Sequence, residues 1–218
     1  INEYKNLDSR MIIANPNAPT SKKKKKKEIE DIIKNNAENI VVIDEAYIDF
    51  GGESVIDLVE KYDNLLVIQT FSKSRALAGL RLGFAVGNKG LIEGLDRIKF
   101  SFNSYTINRL SLIAGMEAVK DKEYFEKSIK KIMQTREKVS SELKEMDFEV
   151  LDSKANFLFI SHNKVSGEEL YIRLKDKGIL VRYFKKDLID NYLRVTIGTE
   201  EEMEKFLEKL KEILAHVN

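Results

Sequence analysis

The sequence predicts an α/β protein: a mostly parallel sheet with helices, followed by a smaller α+β domain. Three observations predict it. In the first part of the chain, short apolar and often β-branched runs alternate with stretches of helical pattern, the chain order of parallel strands joined by crossover helices. From about residue 147, short strands alternate with helices, which indicates a separate small domain. Only two prolines occur, Pro16 and Pro19, so the rest of the chain can form uninterrupted helices and strands.

The elements of the first part are predicted from apolar runs bounded by polar segments. The first strand leads into a loop rich in Asn and Pro at 15–21. The second and third strands are apolar on both faces and too short for helices, which is typical of inner strands of a parallel sheet. Helices are predicted through 28–33 and at about Ser54 to Lys61. The predicted strands are Met11–Ala14, Ile40–Ile43, Leu65–Ile68 and Phe84–Gly87.

The second part opens with a helical pattern from Thr106 to Met146, broken near Asp121. Its second helix is long, with apolar residues spaced along one face. Further helices are predicted near Ser166 to Lys177 and from Glu200 to His216. The predicted strands are Phe148–Val150, Phe157–Ile160, Ile179–Val181 and Tyr192–Val195. The predicted division is a large-domain portion at 1–120, a connecting helix at 121–146 and a small domain at 147–218.

Composition excludes several classes of function. The chain has 218 residues, with 37 Lys and Arg against 36 Asp and Glu, and this balance argues against a general nucleic-acid binder. It contains no Cys, which excludes disulfides, thiolate metal sites and cysteine nucleophiles. The only two histidines, His162 and His216, are far apart in sequence. We therefore expect neither a histidine metal site nor a histidine-driven triad.

The apolar runs, the first residues and the lysine run predict where the protein is found in the cell and what it contacts. No apolar run is long enough to span a membrane, and the first residues lack a signal-peptide pattern, so we predict a cytoplasmic protein without membrane contacts. The chain begins at Ile1 rather than Met, which indicates a piece of a longer polypeptide. The six consecutive lysines at Lys22–Lys27 are interpreted as a solvated surface, because the overall charge is balanced.

Polar side chains follow the predicted strands where ligands bind in open α/β sheets, at the carboxyl ends. Asp44 and Tyr47 follow the second strand, Lys73 follows the third, and Arg81 comes eight positions later. Taken singly, an Asp is often a helix cap and a Lys is usually solvated. Taken together, a lysine able to form a Schiff base, an acid for a pyridine nitrogen and an arginine for a phosphate match pyridoxal phosphate.

These motifs resemble the histidinol-phosphate aminotransferases, which are fold-type I pyridoxal-phosphate enzymes of the aspartate aminotransferase superfamily. Lys73 follows Asp44 by 29 positions, as in that family. The resemblance covers essentially the whole chain and implies the cofactor-binding large domain followed by the small domain. It rests on Asn15 to Ser21, Asp44-Glu45-Ala46-Tyr47, Thr70-Phe71-Ser72-Lys73, Gly79 to Phe84, Ala155-Asn156-Phe157, Val181-Arg182 and Leu193 to Thr199.

The resemblance implies a role for each matching residue. Lys73 would hold the cofactor as a Schiff base and later move the substrate's α-proton. Asp44 would keep the pyridine nitrogen protonated, and Tyr47 would hydrogen-bond the phenolic oxygen. The residues expected to hold the cofactor phosphate are Thr70, Ser72 and Arg81, and Asn17 is a further cofactor-binding candidate.

The same resemblance implies the substrates and the assembly. Arg182 and Arg194 match arginines that hold the substrate, and Asn156 is a third candidate. A guanidinium fork binds phosphate or carboxylate with fixed geometry, which suits histidinol phosphate. The expected reaction exchanges an amino group between L-histidinol phosphate and 2-oxoglutarate in a homodimer. Two alternatives stay open: a threonine-phosphate decarboxylase, and a non-catalytic protein on the same fold.

The sequence departs from the family in two ways. Ala18 stands where the motif normally has an Asn that donates to the cofactor, and Ser21 stands where it normally has Gly. Family members are also about half again as long. The extra length would precede Ile1 and carry the glycine-rich phosphate loop, so the chain taken alone is expected to be inactive.

Overall fold

The computed structural model describes residues 2–215 of the chain. They divide into two compact units, one formed by residues up to 17 with 23–127, the other by 18–22 with the residues from 128 onward. The boundary falls inside a long helix, whereas the sequence placed it at 120 and 146. The predicted three-part division remains a prediction about the domains of the complete protein.

The sheet of the first unit has the order β1-β2-β3-β4. The pairings of β1 with β2 and of β2 with β3 are parallel, and β4 runs antiparallel to β3. The predicted α/β class with a mostly parallel sheet is therefore confirmed. The strands are β1 (Met11–Ala14), β2 (Val41–Asp44), β3 (Leu65–Thr70) and β4 (Gly83–Gly87).

Helices cover this sheet where apolar residues recur at helical spacing. In α1 (Lys26–Lys34), Ile29, Ile32 and Ile33 are fully buried against strand residues. Helix α2 (Lys89–Phe102) is not predicted from the sequence, because its two glycines lower its helix propensity. The remaining helices are α3 (Arg109–Lys120) and α4 (Lys122–Glu145), which passes into the second unit.

The helix predicted at Ser54 to Lys61 is wrong in type. The segment forms a short 3₁₀ helix at Ile56–Glu60. The two residues before it are bonded to another segment: the Ser54 hydroxyl and the Val55 N–H both donate to the Glu45 carboxylate. With its first residues held in this way, the segment has room for one tight turn before β3 begins.

The second unit is built on an antiparallel sheet of order β5-β6-β8-β7. Its helices are part of α4, α5 (Gly167–Asp176) and α6 (Glu200–Leu214), and their apolar faces form one core with the sheet. The predicted helix end at His216 lies outside the described residues. The strands are β5 (Phe148–Val150), β6 (Phe157–His162), β7 (Arg182–Tyr183) and β8 (Leu193–Thr196).

The strand predicted at Ile179–Val181 is misplaced. It lies at Arg182–Tyr183 because Ile179 belongs to the end of α5. Gly178 adopts a left-handed backbone with φ +78°, and the Ile179 N–H donates to the Leu174 carbonyl at 2.9 Å. This is the Schellman arrangement, in which an apolar residue after the glycine packs back on the core. The apolar run that begins at Ile179 therefore belongs to the C-terminal cap of α5 and not to a strand.

Within residues 2–215, no helix combines the length and the apolar character needed to cross a membrane.

Candidate active site

The candidate residues of the first unit meet at one end of its sheet. The parallel register places Ala14, Asp44 and Ile68 side by side, so β1, β2 and β3 all end at this edge. The antiparallel β4 begins there, since Gly83 pairs with Thr70. The segments that hold Asn17, Asp44, Tyr47, Thr70, Ser72, Lys73 and Arg81 therefore start or finish at the carboxyl edge.

Asn15 fixes the Asn/Pro loop to this edge. Its side chain is buried, accepts the Lys24 backbone N–H at 2.7 Å and donates to the Lys24 carbonyl at 3.3 Å. Its own N–H donates to the Asp44 carbonyl at 2.8 Å. Both prolines of the loop, Pro16 and Pro19, follow cis peptide bonds. Asn17 lies half-buried within this held loop, and the exposed Ala18 brings no polar side chain to it.

Asp44 and Glu45 are neighbours with different environments. The half-buried Asp44 carboxylate accepts the Ala46 N–H at 2.9 Å, a local turn bond that engages one of its two oxygens. Glu45 is only 1% exposed, and its carboxylate accepts from Ser54, the Val55 N–H and the Gln69 amide. Three donors offset the cost of burying this group. Glu45 thus anchors the backbone that presents Asp44.

Lys73 and Tyr47 come together across the sheet edge. The Lys73 Nζ lies 5.4 Å from the centroid of the Tyr47 ring, within the range of a cation–π contact. Both side chains are half-buried. Among residues 2–215 no carboxylate forms an ion pair with Lys73. A cation held on an aromatic face without a paired acid keeps its amine available to a ligand.

Thr70 and Ser72 supply hydroxyls just before Lys73 in the chain, and Arg81 supplies a cation eight positions after it. The Ser72 backbone N–H donates to Thr70 Oγ1 at 3.1 Å, and the two hydroxyl oxygens are 2.9 Å apart. Arg81 has a left-handed backbone with φ +55°, is exposed, and donates to the Ala78 carbonyl. The Phe71 N–H bonds the Leu82 carbonyl at 3.0 Å and joins the two segments. Hydroxyls with a guanidinium suit a phosphate.

The second unit brings two arginines together. Arg182 of β7 and Arg194 of β8 are direct partners in an antiparallel register, so their side chains lie on one face. Their guanidinium carbons lie 5.4 and 5.8 Å from the Phe184 ring centroid. Within the described chain neither forms an ion pair with a carboxylate. Like charges placed opposite each other are unfavourable, and an anion bound between them would remove that cost.

Asn156 precedes the strand on which Arg194 packs. Arg194 lies 5.3 Å from the Phe157 ring centroid, and the Asn156 carbonyl accepts the Ile197 N–H at 2.9 Å. The buried Arg136 of α4 donates to the Ala155 carbonyl at 2.9 Å. Asn156 and Arg194 are therefore held in the same part of the second unit.

Three residues of this architecture escaped the sequence analysis as individual contributors: Asn15, Glu45 and Phe184. Asn15 and Glu45 bind groups at least nine positions away, and Phe184 contacts Arg194 on another strand as well as the nearby Arg182, so no local pattern marks these roles. The one available signal was Glu45 itself, a charged residue directly after a buried strand and inside the Asp44 motif.

The first unit has an α/β fold with its candidate residues at the strand ends, and comparison with known families gives its class. The family described as "Aminotransferase class I and II" matches residues 2–210. The chain belongs to this family.

Two similar relatives carry the same name. A histidinol-phosphate aminotransferase of Brachyspira hyodysenteriae is 65% identical over 98% of this chain and 61% of its own length. The enzyme of the same name from Clostridium beijerinckii is 56% identical over 99% of this chain and 60% of its own length. The chain thus spans about three-fifths of the length of the curated relatives it matches.

Two solved structures with this name have the same fold as the chain. The histidinol-phosphate aminotransferase of Clostridium acetobutylicum superposes with a TM-score of 0.88 at 30% identity, over 97% of this chain and 65% of that one. The enzyme of that name from Sinorhizobium meliloti, solved in complex with pyridoxal-5'-phosphate, gives 0.85 at 23% identity over 94% and 56% of the two chains. At that identity the second likeness shows the fold alone.

Proposed function

We propose that this chain is the larger part of a pyridoxal-phosphate-dependent aminotransferase acting on L-histidinol phosphate and 2-oxoglutarate. The residues at the sheet edge fit the cofactor: an amine without a paired acid, a carboxylate with one oxygen outside its turn bond, and hydroxyls beside an arginine. When bound, pyridoxal phosphate supplies an electron sink for the carbanion formed at the substrate's α-carbon.

The chain's own residues have separate tasks in this proposal. Lys73 would hold the cofactor through its amine while no substrate is bound and, once the substrate's amine has taken its place, would move the proton to and from the substrate's α-carbon. Asp44 holds a proton on the pyridine nitrogen, and Tyr47 donates to the phenolic oxygen. Thr70, Ser72 and Arg81 hold the phosphate, with Asn17 on the neighbouring loop.

The observation that carries the substrate assignment is the pairing of Arg182 with Arg194. Two guanidinium groups placed opposite each other and lacking ion pairs in the described chain are suited to a strongly anionic substrate group. Asn156 is the polar neighbour proposed to complete this substrate site. The 65% identity to an enzyme named for histidinol phosphate supports the same choice. The decarboxylase alternative has weaker support, because the threonine-phosphate decarboxylase of Porphyromonas gingivalis is 21% identical and shows the fold alone.

A substrate assay tests this proposal. The complete protein, supplied with pyridoxal phosphate, should convert histidinol phosphate when 2-oxoglutarate is present and release glutamate. With threonine phosphate, carbon dioxide release should be absent. Carbon dioxide release without glutamate formation would identify the decarboxylase instead, and no turnover of either compound by a cofactor-loaded protein would favour a non-catalytic role.

Lys73 gives a direct test of the cofactor site. Borohydride reduction of the cofactor-loaded protein followed by peptide mapping should place the label on Lys73. Lys73→Ala should lose transamination by several orders of magnitude and keep the fold, because a half-buried lysine at a strand end adds little to packing. Lys61, a surface lysine paired with Glu30, provides a matched control as Lys61→Ala. A label on any other lysine would contradict the assignment.

The assembly and location belong to the same proposal. Helix α3 has one buried side with the small residues Ser111 and Gly115, while the apolar Leu110, Ile113 and Met116 are exposed on the other. A helix of this kind is normally covered on both sides. We propose a cytoplasmic homodimer in which a second copy covers this face. Light scattering of the complete protein should give twice the mass of one chain, and a single-chain mass would contradict it.

A further inference from the structure

Lys73 lies in a segment without regular secondary structure, between the end of β3 and the 3₁₀ turn at Ala78–Leu80. A backbone of this kind does not by itself fix the direction of a long lysine side chain. The segment's own bonds are few: the Ala76 N–H donates to the Lys73 carbonyl at 3.2 Å, and the Leu77 N–H donates to the Phe71 carbonyl at 3.0 Å. The position of the amine therefore depends on contacts with other segments.

The residue after Lys73 makes such a contact. Ser74 is 7% exposed, and its hydroxyl donates to the Asp49 carboxylate. Asp49 lies in the short 3₁₀ helix Ile48–Phe50, which starts directly after Tyr47. One hydrogen bond thus joins the segment of Lys73 to the segment of Tyr47, and the amine and the ring face each other beside it.

Arg75 holds the other side of the segment. Its guanidinium carbon lies 3.9 Å from the Phe125 ring centroid, and it donates to the Ala118 carbonyl in the last turn of α3. This contact fixes the segment to the helices but does not reach the Tyr47 segment. The Asp49–Ser74 bond is a direct side-chain link between the two segments, next to the Lys73–Tyr47 contact.

We propose that Asp49 is a positioning residue that, through Ser74, holds the Lys73 amine over the Tyr47 ring. The catalytic consequence rests on the proposed function, but the placement of the amine does not. Without the bond, the loop can move away from the Tyr47 segment, and Lys73 gains access to solvent and to reagents. With the bond, the amine is already in place before any ligand arrives, which lowers the cost of orienting it.

The test measures the reactivity of Lys73 in the cofactor-free protein. Brief labelling with acetic anhydride at fixed pH, followed by mass spectrometry, gives the rate at Lys73 relative to other lysines of the same sample. Asp49→Ala should raise this rate about two- to fivefold, the equivalent of losing one cation–π contact at a partly exposed site. Asp49→Asn should stay close to the unmodified protein, because its amide oxygen still accepts from Ser74. This pair separates the bond from the charge.

Two further variants complete the design. Ser74→Ala removes the donor and should give the same rise as Asp49→Ala. Asp57→Ala is the matched control, since Asp57 is an exposed aspartate bonded to Lys26 on another segment of the same unit, and it should leave the Lys73 rate unchanged. Equal rates in Asp49→Ala and the unmodified protein, or equal rises in Asp49→Ala and Asp49→Asn, would overturn the proposal.

A second readout separates this inference from the proposed function. Pyridoxal phosphate uptake, followed by visible absorbance, should be weaker in Asp49→Ala than in Asp49→Asn. If the unmodified protein takes up no cofactor, the proposed function fails while the labelling result still decides the role of Asp49.

Discussion

At the scale of single residues, Ser21 shows how a departure from a family motif is accommodated. Its backbone is left-handed with φ +60°, the region in which a side chain is normally disfavoured and glycine is favoured. The side chain is fully buried, and its hydroxyl donates to the Thr20 or Asp152 carbonyl. The hydrogen bond of this hydroxyl offsets part of the free-energy cost of the left-handed backbone.

We therefore expect the glycine variant at position 21 to be more stable than the alanine variant, the reverse of their order in helices. Both lose the hydroxyl, but only alanine keeps the Cβ that crowds a left-handed backbone. Ser21→Gly should be more stable than Ser21→Ala by about 1 kcal/mol. Urea unfolding followed by circular dichroism gives both free energies. Equal stabilities would show that this backbone position carries no such cost.

At the scale of elements, the start of α5 depends on close packing against a loop. Gly167 donates its N–H to the Asn191 side chain, and a Cβ placed on Gly167 would meet the Asn191 backbone at 2.8 Å. Backbone atoms cannot move aside as a side-chain end can. Gly167→Ala should lower the free energy of unfolding by about 1–3 kcal/mol.

A second glycine provides the contrast. Gly94 lies inside α2, and a Cβ there would meet nothing within 4 Å. Gly94→Ala should raise the free energy of unfolding by about 0.5–1 kcal/mol, because alanine loses less backbone freedom in a helix. Thermal unfolding of both variants checks the pair. A loss of similar size in each would mean that the Asn191 contact is not what excludes a side chain at Gly167.

The pairing of β7 with β8 gives a test of substrate choice. If Arg182 binds the phosphate of the substrate, Arg182→Ala should raise the KM for histidinol phosphate and leave unphosphorylated histidinol almost unaffected. One charge-assisted bond contributes about 1.5–3 kcal/mol, roughly tenfold to a hundredfold in KM. Steady-state kinetics of the complete enzyme with both compounds measures this. Equal losses for the two substrates in a folded variant would remove Arg182 from the substrate site.

At the scale of the whole molecule, the described part of each unit contains a carboxylate whose pKa is strongly depressed. In the second unit, hydrogen bonds from Lys177 and then Lys209 lower the pKa of Glu212 from 4.5 to about 2. In the first unit, hydrogen bonds from Lys61 and Tyr62 lower the pKa of Glu30 from 4.5 to about 2. The folded pKa lies below the unfolded one in both cases. Their stabilisation is therefore complete above about pH 4.5 and is lost as the pH falls toward 2.

We expect Glu212→Gln to show this pH dependence. The variant should be less stable than the unmodified protein at neutral pH, and the difference should shrink as the pH is lowered from about 5 to about 3. The effect is small, because the Glu212 side chain is 39% exposed and solvent screens the pair. Urea midpoints across this range measure it, with Glu204→Gln as a control on the same helix, because its ion-pair partner is Lys138 and not a lysine bonded to Glu212. A difference that stays constant with pH would assign the loss to something other than this charge.

The sequence by itself predicted the class of fold, which the structure confirms, and the chemical groups proposed for the candidate site. Both rest on local information: the apolar runs of β1 to β3 have strand length, and the polar residues after them stand at fixed distances along the chain. The motifs around Asp44 and Lys73 can be recognised in the sequence for the same reason.

Only the tertiary structure decided which of these groups meet. The direct register of Arg182 with Arg194 depends on where the end of α5 releases the chain, and the apolar Ile179 concealed that point. The Asp49–Ser74 bond joins residues 25 positions apart, and Glu45 binds groups on two other segments. Contacts of this kind leave no periodic trace, because they form between side chains that approach each other only after the sheet has assembled.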